Sequence, residues 1–146
     1  MEIRVRTFGQ LSTGELYELL RLRSEVFVVE QQCIYLDMDG KDAKALHVLG
    51  YQSEKLAACT RLFAPGDYFE QASIGRVAVR EEFRGLGLGR EIMKASLEAV
   101  KSNFGLAGIC LSAQSYLRRF YEELGFRTEG TEYLEDGIPH IRMIRD

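Results

Sequence analysis

The sequence predicts a mixed α/β (α+β) fold, in which one mixed sheet carries helices on both faces. Two observations support this prediction. The hydrophobic pattern gives the order strand, helix, irregular segment, three strands, helix, strand, helix and two strands. The length of 146 residues suffices for one well-packed core and is short for two, so residues 1–146 are expected to form a single domain.

The first part of the chain supplies a strand, a helix and an irregular segment. Residues 3–7 alternate with period two, like a half-buried strand. Ser12 and Glu15 form a capping box ahead of a helix that we expect to run to about Val28. Residues 30–42 show no clear period and predict a loop with at most a short helix.

The middle of the chain predicts a hairpin, a central strand and a long helix. Residues 45–51 and 56–63 are two strands whose separation suits a hairpin. Residues 74–79 are a short apolar run with several β-branched side chains, which is typical of a buried strand. A helix follows over residues 88–103, and Gly105 ends it.

The last part of the chain predicts a strand, a helix and a final hairpin. Residues 108–112 form a short buried strand. Ser115 is placed to cap the next helix, and Gly125 is the glycine that follows its C-terminus. Residues 126–134 and 138–144 are strands joined by a turn that contains Asp-Gly, a hairpin signal.

The composition argues against several classes of protein. A net charge of −3 and a pI near 5.5 argue against a nucleic-acid partner, which requires a basic surface. No apolar stretch is long enough to span a bilayer and no secretory signal begins the chain, so we expect no membrane partner and a cytoplasmic location. The three cysteines form no C-x-x-C pair and the two histidines lie far apart, so neither a disulfide framework nor a metal site is predicted.

The turn before the long helix carries the strongest functional signal. Residues 84–89 read Arg-Gly-Leu-Gly-Leu-Gly, with three glycines at alternate positions. Gly87 and Gly89 let a ligand approach the main chain closely, and the helix N-terminus adds unpaired N–H groups and a partial positive charge. The expected ligand is an anion, most simply a phosphate, and a connection without a ligand is the alternative.

Spacing separates three phosphate-binding motifs. A P-loop requires Lys-Ser/Thr after its last glycine, whereas Gly89 is followed by Arg90 and Glu91. A dinucleotide fingerprint requires G-x-G-x-x-G after a first strand, whereas this chain has G-x-G-x-G past its middle. The pattern that fits is Arg/Gln-x-x-Gly-x-Gly/Ala, and it resembles the acetyl-CoA pyrophosphate loop of the GNAT superfamily of N-acetyltransferases.

The resemblance to this superfamily extends over nearly the whole chain. Residues 114–126 resemble a second signature that ends in Tyr, a few residues and Gly-Phe, although Gln114 stands where Asn is common. Residues 23–31 and 135–143 resemble a narrower bacterial group, the ElaA-like proteins. The resemblance implies a GNAT-like, mostly antiparallel central sheet and an acyltransferase that uses acetyl-CoA as cosubstrate.

The resemblance also implies the residues that contact acetyl-CoA. Backbone groups of the central strand would pair with the pantetheine amides, as an added strand would. The arginine and the amides of the glycine turn would hold the pyrophosphate, and an amide side chain would bond the pantetheine arm. These residues are Val77, Ala78, Val79, Arg84, Gly85, Leu86, Gly87, Leu88, Gly89, Arg90 and Gln114.

Acetylation of an amine requires a base for the acceptor and an acid for the departing thiolate. A lysine-like amine has a pKa of about 10.4 and must lose a proton before it attacks the thioester. Glu30 is the candidate base because it follows an apolar helix and can be partly desolvated, and His140 is the second choice. Tyr121 is the candidate acid: its spacing alone favours a core residue, whereas the resemblance places it near the cofactor sulfur.

The acidic residues of two irregular segments predict the acceptor. The fold would place both segments around the acceptor mouth, so the expected substrate is a cationic primary amine, and a set of solvated carboxylates is the alternative. These residues are Glu30, Asp37, Asp39, Asp42, Glu135 and Asp136. A sensor that binds acyl-CoA without turnover is a second function open to the same fold, and a homodimer is left open as the assembly.

Overall fold

A seven-stranded sheet forms the centre of the computed structural model, which describes residues 1–106 and 108–146. The strands are β1 (Glu2–Thr7), β2 (Leu46–Gln52), β3 (Lys55–Phe63), β4 (Ala72–Val79), β5 (Ile109–Gln114), β6 (Arg127–Glu135) and β7 (Ile138–Arg145). They lie in the order β1-β2-β3-β4-β5-β7-β6, and every neighbouring pair is antiparallel except β4 and β5. The predicted mixed, mostly antiparallel sheet is confirmed.

Helices cover both faces of this sheet. They are α1 (Thr13–Arg23), α2 (Leu88–Phe104) and α3 (Arg118–Glu122). On one face, α1 packs Leu19 and Leu22 into a hydrophobic cluster with Leu49 of β2. On the other face, α2 and α3 share a larger cluster, to which α2 contributes Ile92 and Met93. The two clusters bury both faces of the central strands, as the predicted arrangement requires.

The first helix begins as predicted and ends differently. The side chain of Ser12 accepts a hydrogen bond from the backbone N–H of Glu15 at 3.0 Å. The carboxylate of Glu15 accepts one from the backbone N–H of Ser12 at 2.9 Å, and the two bonds complete the capping box. The α-helical geometry ends at Arg23, and the chain continues as a π-helical segment, Ser24–Glu30. This wider turn keeps Val26 in the core and carries Glu30 towards the glycine turn.

The two predicted hairpins are confirmed, and both have turn residues in the left-handed region. Ser53 and Glu54 have φ of 51° and 65°, and Asp136 and Gly137 have φ of 52° and 78°. Positive φ at both central residues is the requirement of a type I′ turn, whose twist matches that of the flanking strands. The second hairpin matters for function because it brings the β6–β7 turn beside the irregular segment, where Cys33 Sγ contacts the backbone oxygen of Asp136 at 3.2 Å.

The prediction that Ser115 caps the last helix is wrong. The chain passes from β5 straight into a 3-10 turn, Ser115–Leu117, that precedes α3. Gln114 therefore occupies the N-cap position, and Ser115 already lies inside the helical turn. Its hydroxyl is buried and finds no hydrogen-bond partner among the described residues. The glycine after the helix is as expected, because Gly125 has φ of 93°.

The parallel neighbours β4 and β5 separate along their length. Among the described residues they pair at Ala72 with Ile109 and at Ser73 with Cys110, near their N-terminal ends. Beyond this point β4 carries a bulge at Arg76, with φ of 49°, and its register against β3 shifts by one residue. Because a bulge bends the strand that contains it, β4 curves away from β5 and a cleft opens between them.

Candidate active site

The cleft between β4 and β5 is part of a cavity of about 690 Å³, a size typical of small-molecule sites. Val77 and Val79 line it from β4, and Leu111 and Ser112 line it from β5. From Ile74 onwards the β5 side of β4 has no strand partner within the described residues, so its backbone groups face the cleft. An extended ligand can therefore pair with this edge as an additional strand.

The glycine turn closes one end of the cavity, which we call the turn end. Gly85 and Gly87 have φ of 84° and 76°, and a Cβ added at either position would meet no atom within 4 Å. Both glycines line the cavity, and Gly87 is the N-cap of α2. The turn thus presents main chain and a helix N-terminus to open space, which is the arrangement that binds phosphate.

Most of the residues expected to contact acetyl-CoA lie together. Ten of the eleven line the cavity, and the exception is Leu86, whose side chain is 62% exposed. Gln114 lies where β5 ends, and its Nε2 donates to Oε1 of Gln31 at 3.4 Å. The ten residues are Val77, Ala78, Val79, Arg84, Gly85, Gly87, Leu88, Gly89, Arg90 and Gln114.

Arg84 and Glu30 form one ion pair at the turn end. Arg84 Nη1 and Nη2 donate to the two carboxylate oxygens of Glu30 at 2.6 and 2.8 Å. Arg84 also donates to the carbonyl oxygen of Val79 at 2.9 and 3.0 Å, and its hydrogen bonds to Glu30 raise its pKa. The expectation placed Glu30 at the acceptor mouth. The π-helical segment brings it to the glycine turn, where Arg84 engages both of its oxygens, and its role as base stays a prediction.

Three of the acidic residues expected at the acceptor mouth are neutralised by arginines. The network joins Arg23, Arg61 and Arg76 to Asp37, Asp39 and Asp42. Arg23 donates to Asp37 and Asp42 at 2.8 Å each and is almost fully buried. The three aspartates balance three arginines and anchor the irregular segment to the sheet. They do not form an acidic surface for an amine, because their charges are already paired.

Burial and hydrogen bonding act in opposite directions on this network. Burial alone raises the pKa of Asp42, but hydrogen bonds and attraction from Arg23 and Arg61 outweigh it and leave the pKa below its ordinary value. Asp39 has a lowered pKa for the same reason, with burial opposed mainly by Arg61. Both carboxylates are therefore ionised in the folded protein at neutral pH.

The cavity lining beyond the glycine turn, which we call the acceptor end, includes two acidic residues and a histidine. Glu135, Asp136 and His140 line it from the β6–β7 hairpin. His140 Nδ1 lies 2.7 Å from the carbonyl oxygen of Ile138, and His140 Nε2 lies 3.2 Å from Oε2 of Glu135. The ring stacks on Tyr133 with 6.2 Å between centroids. His140, the second choice as base, is therefore the titratable ring that faces this end.

An aromatic group at the acceptor end was missed by the sequence analysis. Phe63 and Tyr68 stack with centroids 5.0 Å apart, and Tyr68 meets Phe69 edge-on at 4.9 Å. All three line the cavity, from the end of β3 and the loop that follows it. Three aromatic residues within seven positions were a usable signal. The cluster was not recognised because the three residues flank Pro65-Gly66, and this pair predicts only a turn.

Tyr121 lies in α3 between the core and the cavity. It is 5% exposed, lines the cavity, and packs edge-on against Phe120 and Phe126. Its hydroxyl has no hydrogen-bond partner in the described parts of the chain, and burial raises its pKa above the ordinary value. Tyr121 is thus a core residue, as its spacing predicts, and it also lines the cavity, as a role near the cofactor sulfur requires.

The structure also bears on the cysteines, on metal binding and on membrane-spanning helices. All three cysteines are free, and burial raises the pKa of Cys59 to about 12, which makes it unreactive. Across residues 1–106 and 108–146, no group of three or more His, Cys, Asp or Glu side chains is placed to hold a metal ion. Over the same residues, none of the helices has the length and apolar character needed to cross a bilayer.

Several known proteins are similar to this chain over nearly its whole length. The model of the acetyltransferase (GNAT) domain matches residues 14–146. Protein ElaA of Escherichia coli K12 is 42% identical over 140 residues, which cover 94% of this chain and 92% of that protein. An acyl-CoA N-acyltransferase from Pseudomonas aeruginosa has a TM-score of 0.94 at 38% identity, with both chains fully covered. The crystal structure of E. coli ElaA has a TM-score of 0.93 at 39% identity and covers 99% of each chain. The chain belongs to the GNAT acetyltransferase family.

Proposed function

We propose that this protein transfers an acetyl group from acetyl-CoA to a primary amine by direct attack of the amine on the thioester. Membership of the family supports acyl transfer from acyl-CoA. The observation that carries the finer proposal is the open edge of β4, which leads from the glycine turn to the acceptor end of one continuous cavity. A thioester whose phosphates lie at the turn would reach the acceptor along this edge.

The contacts to acetyl-CoA follow from this edge and the turn. The backbone of Val77 to Val79 pairs with the pantetheine amides, and the turn with the start of α2 receives the pyrophosphate. Arg84 exchanges Glu30 for a phosphate oxygen, since both partners suit the planar guanidinium. Gln114 lines the cavity at the end of β5, and its amide bonds the pantetheine arm in this proposal.

Tyr121 is the proposed acid for the departing thiolate. Burial keeps its hydroxyl protonated at neutral pH, because ionisation in apolar surroundings is disfavoured. The same surroundings strengthen a thiolate as a base, so the proton moves from oxygen to sulfur as the C–S bond breaks. A hydroxyl without another partner is free to make this contact.

The proposed acceptor is a cationic primary amine. Glu135 and Asp136 are the carboxylates that line the acceptor end, and they attract a positive charge. The rings of Phe63, Tyr68 and Phe69 add apolar surface. Cationic side chains already lie over their faces, namely Arg61, Lys41 and Arg142. This proposal rests on two of the six acidic residues considered in the sequence, since three are paired in the arginine network and Glu30 is held by Arg84.

The test is release of CoA thiol from acetyl-CoA in the presence of primary amines. The panel contains lysine, a diamine, an arylalkylamine and a neutral amine, and acetyl-CoA binding is measured in parallel by calorimetry. We expect turnover above the uncatalysed rate with at least one cationic amine and weaker turnover with the neutral one. Tight binding of acetyl-CoA without turnover on any amine would instead identify a sensor of acyl-CoA.

A further inference from the structure

His140 is a buried imidazole that faces the acceptor end of the cavity. It lies on β7 and is 6% exposed. Its backbone pairs with Gln114 of β5 on one side and with Tyr133 of β6 on the other, so the strand is held within the sheet. A side chain at this position has little freedom to turn away from the cavity.

The hydrogen bond at one nitrogen determines the state of the other. Nδ1 lies 2.7 Å from the carbonyl oxygen of Ile138, and a carbonyl oxygen can only accept a hydrogen bond. Nδ1 must therefore carry the proton and donate. In the neutral imidazole this leaves the lone pair on Nε2, which is the nitrogen that can accept a proton from a substrate.

The partner of Nε2 is suited to the protonated ring. Oε2 of Glu135 lies 3.2 Å away, and a carboxylate cannot donate to a neutral Nε2. This contact becomes a hydrogen bond only when Nε2 takes up a proton, and the carboxylate then stabilises the imidazolium. Glu135 is thus placed to accept a hydrogen bond from the ring after proton transfer.

Few other polar groups compete for this ring. From β6 it is faced by Glu135 and by Tyr133, whose hydroxyl bonds Ser112 of β5. From β5 its backbone neighbour is Gln114, which is uncharged. Arg142 lies two residues further along β7, but it is turned to Gln71 and Glu129. Asp136 adds a second negative charge at the hairpin turn.

We propose that Nε2 of His140 is the general base that deprotonates the acceptor amine, with Glu135 as the positioning residue. This inference rests on the proposed function. Glu30 is less suited to the role, because Arg84 engages both of its oxygens. His140 lines the end at which the carboxylates would hold the ammonium group.

The protons balance in this scheme. Nε2 takes one proton from the ammonium group, and the neutral nitrogen forms a bond to the carbonyl carbon of the thioester. The C–S bond then breaks, and the thiolate receives a proton from Tyr121. The nitrogen loses its second proton as the amide forms, and that proton restores Tyr121. His140 releases its proton to solvent, so the products are the amide, CoA thiol and one proton.

The first test is His140→Asn, which keeps a donor near the position of Nδ1 and removes Nε2. With the best amine of the panel, we expect turnover at neutral pH to fall by about 10²-fold, the usual scale of general-base catalysis, with unchanged acetyl-CoA affinity. The loss should shrink as the pH rises, because free amine then becomes abundant. Between neutral pH and the pKa of the amine, the rate of the variant should therefore depend more steeply on pH than the rate of the wild type.

Glu135→Gln separates the positioning role from the base itself. We expect turnover to fall only about threefold to fivefold, because Glu135 is half-exposed and its attraction to the imidazolium is screened by solvent. The matched control is Glu129→Gln on the same strand, which removes a carboxylate that pairs with Arg142 and should leave the rate unchanged. Equal losses in the two variants would overturn the role of Glu135.

The outcomes separate this inference from the proposed function. Wild-type protein that binds acetyl-CoA and turns over no amine would overturn both. Turnover by the wild type together with an equal rate in His140→Asn would overturn the base alone. A measurement on the wild type covers the case in which the variant fails to fold: ¹⁵N chemical shifts of the imidazole should show the proton on Nδ1 at high pH, and a proton on Nε2 would contradict the inference.

Discussion

The two ends of the cavity are built in different ways. The turn end consists of consecutive residues, 84–90, that offer backbone N–H groups and one arginine. The acceptor end gathers side chains from β3, the loop after it, and the β6–β7 hairpin, which lie as far apart in the chain as Phe63 and His140. Recognition by the main chain can be encoded in one short segment, whereas a chamber of side chains requires the whole sheet to form first.

The two ends also use carboxylates differently. At the turn end, Glu30 neutralises an arginine that a phosphate would otherwise occupy. At the acceptor end, Oε2 of Glu135 lies 3.2 Å from Nε2 of His140 and is placed to accept a hydrogen bond from it after proton transfer. The first carboxylate competes with the proposed ligand, and the second supports the proposed proton transfer. Removing the first carboxylate should therefore tighten acetyl-CoA binding, and removing the second should lower the rate.

The largest effect is expected for Gly87→Val. The residue has φ of 76° and faces open space, so the side chain would strain the turn and block the approach of the pyrophosphate. We expect the thermal stabilisation by acetyl-CoA to disappear while the protein without ligand stays folded. Gly105→Val is the control, because it also places valine at a positive φ, with a backbone conformation less favourable than that of Gly87, but at the other end of α2. Unchanged acetyl-CoA affinity in Gly87→Val would contradict binding at the turn.

The next largest effect is expected for Tyr121→Phe. This change keeps the ring contacts with Phe120 and Phe126 and removes a hydroxyl that has no partner in the described residues, so the melting temperature should change little. If the hydroxyl protonates the thiolate, turnover should fall by about 10²-fold with unchanged acetyl-CoA affinity. Tyr17→Phe on the exposed surface of α1 is the control. A full rate would leave water as the proton donor.

A large effect on stability is expected for Asp42→Asn in the arginine network. Removing one partner of a buried ion pair costs about 3 kcal/mol in the free energy of unfolding at pH 7. The lowered pKa means that the wild type gains this stability above the unfolded value of about 3.9 and loses it as the pH falls through the folded value. The free energy of unfolding of the variant should therefore decrease less steeply as the pH falls.

Denaturant titrations at pH 7 and near pH 3 measure this difference. Asp146→Asn provides the control, because its pair with Arg127 is exposed and should contribute less than about 1 kcal/mol. An equal loss of unfolding free energy in the two variants would show that the buried network stabilises the fold no more than an exposed ion pair does.

The smallest effect is expected for Glu30→Gln at the turn end. Arg84 would then be free for a phosphate, so the dissociation constant of acetyl-CoA should fall by about threefold, the scale of a partly exposed ion pair. Turnover at saturating acetyl-CoA should stay near that of the wild type. Glu25→Gln is the control, since Glu25 pairs with Arg80 outside the cavity. A large loss of turnover in Glu30→Gln would return the role of base to Glu30.

Much of the fold could be predicted because its signals are local. The capping box at Ser12 and Glu15, the turn containing Asp-Gly and the glycine after α2 depend on neighbouring residues alone. The capping role of Ser115 failed for the opposite reason. Whether a serine lies before or inside the first turn depends on where β5 ends, and the pairing of β5 with β7 decides that.

The strand, glycine turn and helix of the turn end follow from local sequence, because positive φ, close approach and free N–H groups are properties of consecutive residues. Which charges remain available at the acceptor end depends on tertiary packing. The arginines that neutralise Asp37, Asp39 and Asp42 come from α1, β3 and β4, and Glu30 and His140 received their partners when distant strands packed together. The state of a charged side chain depends on its partners and its burial, and both exist only in the folded chain.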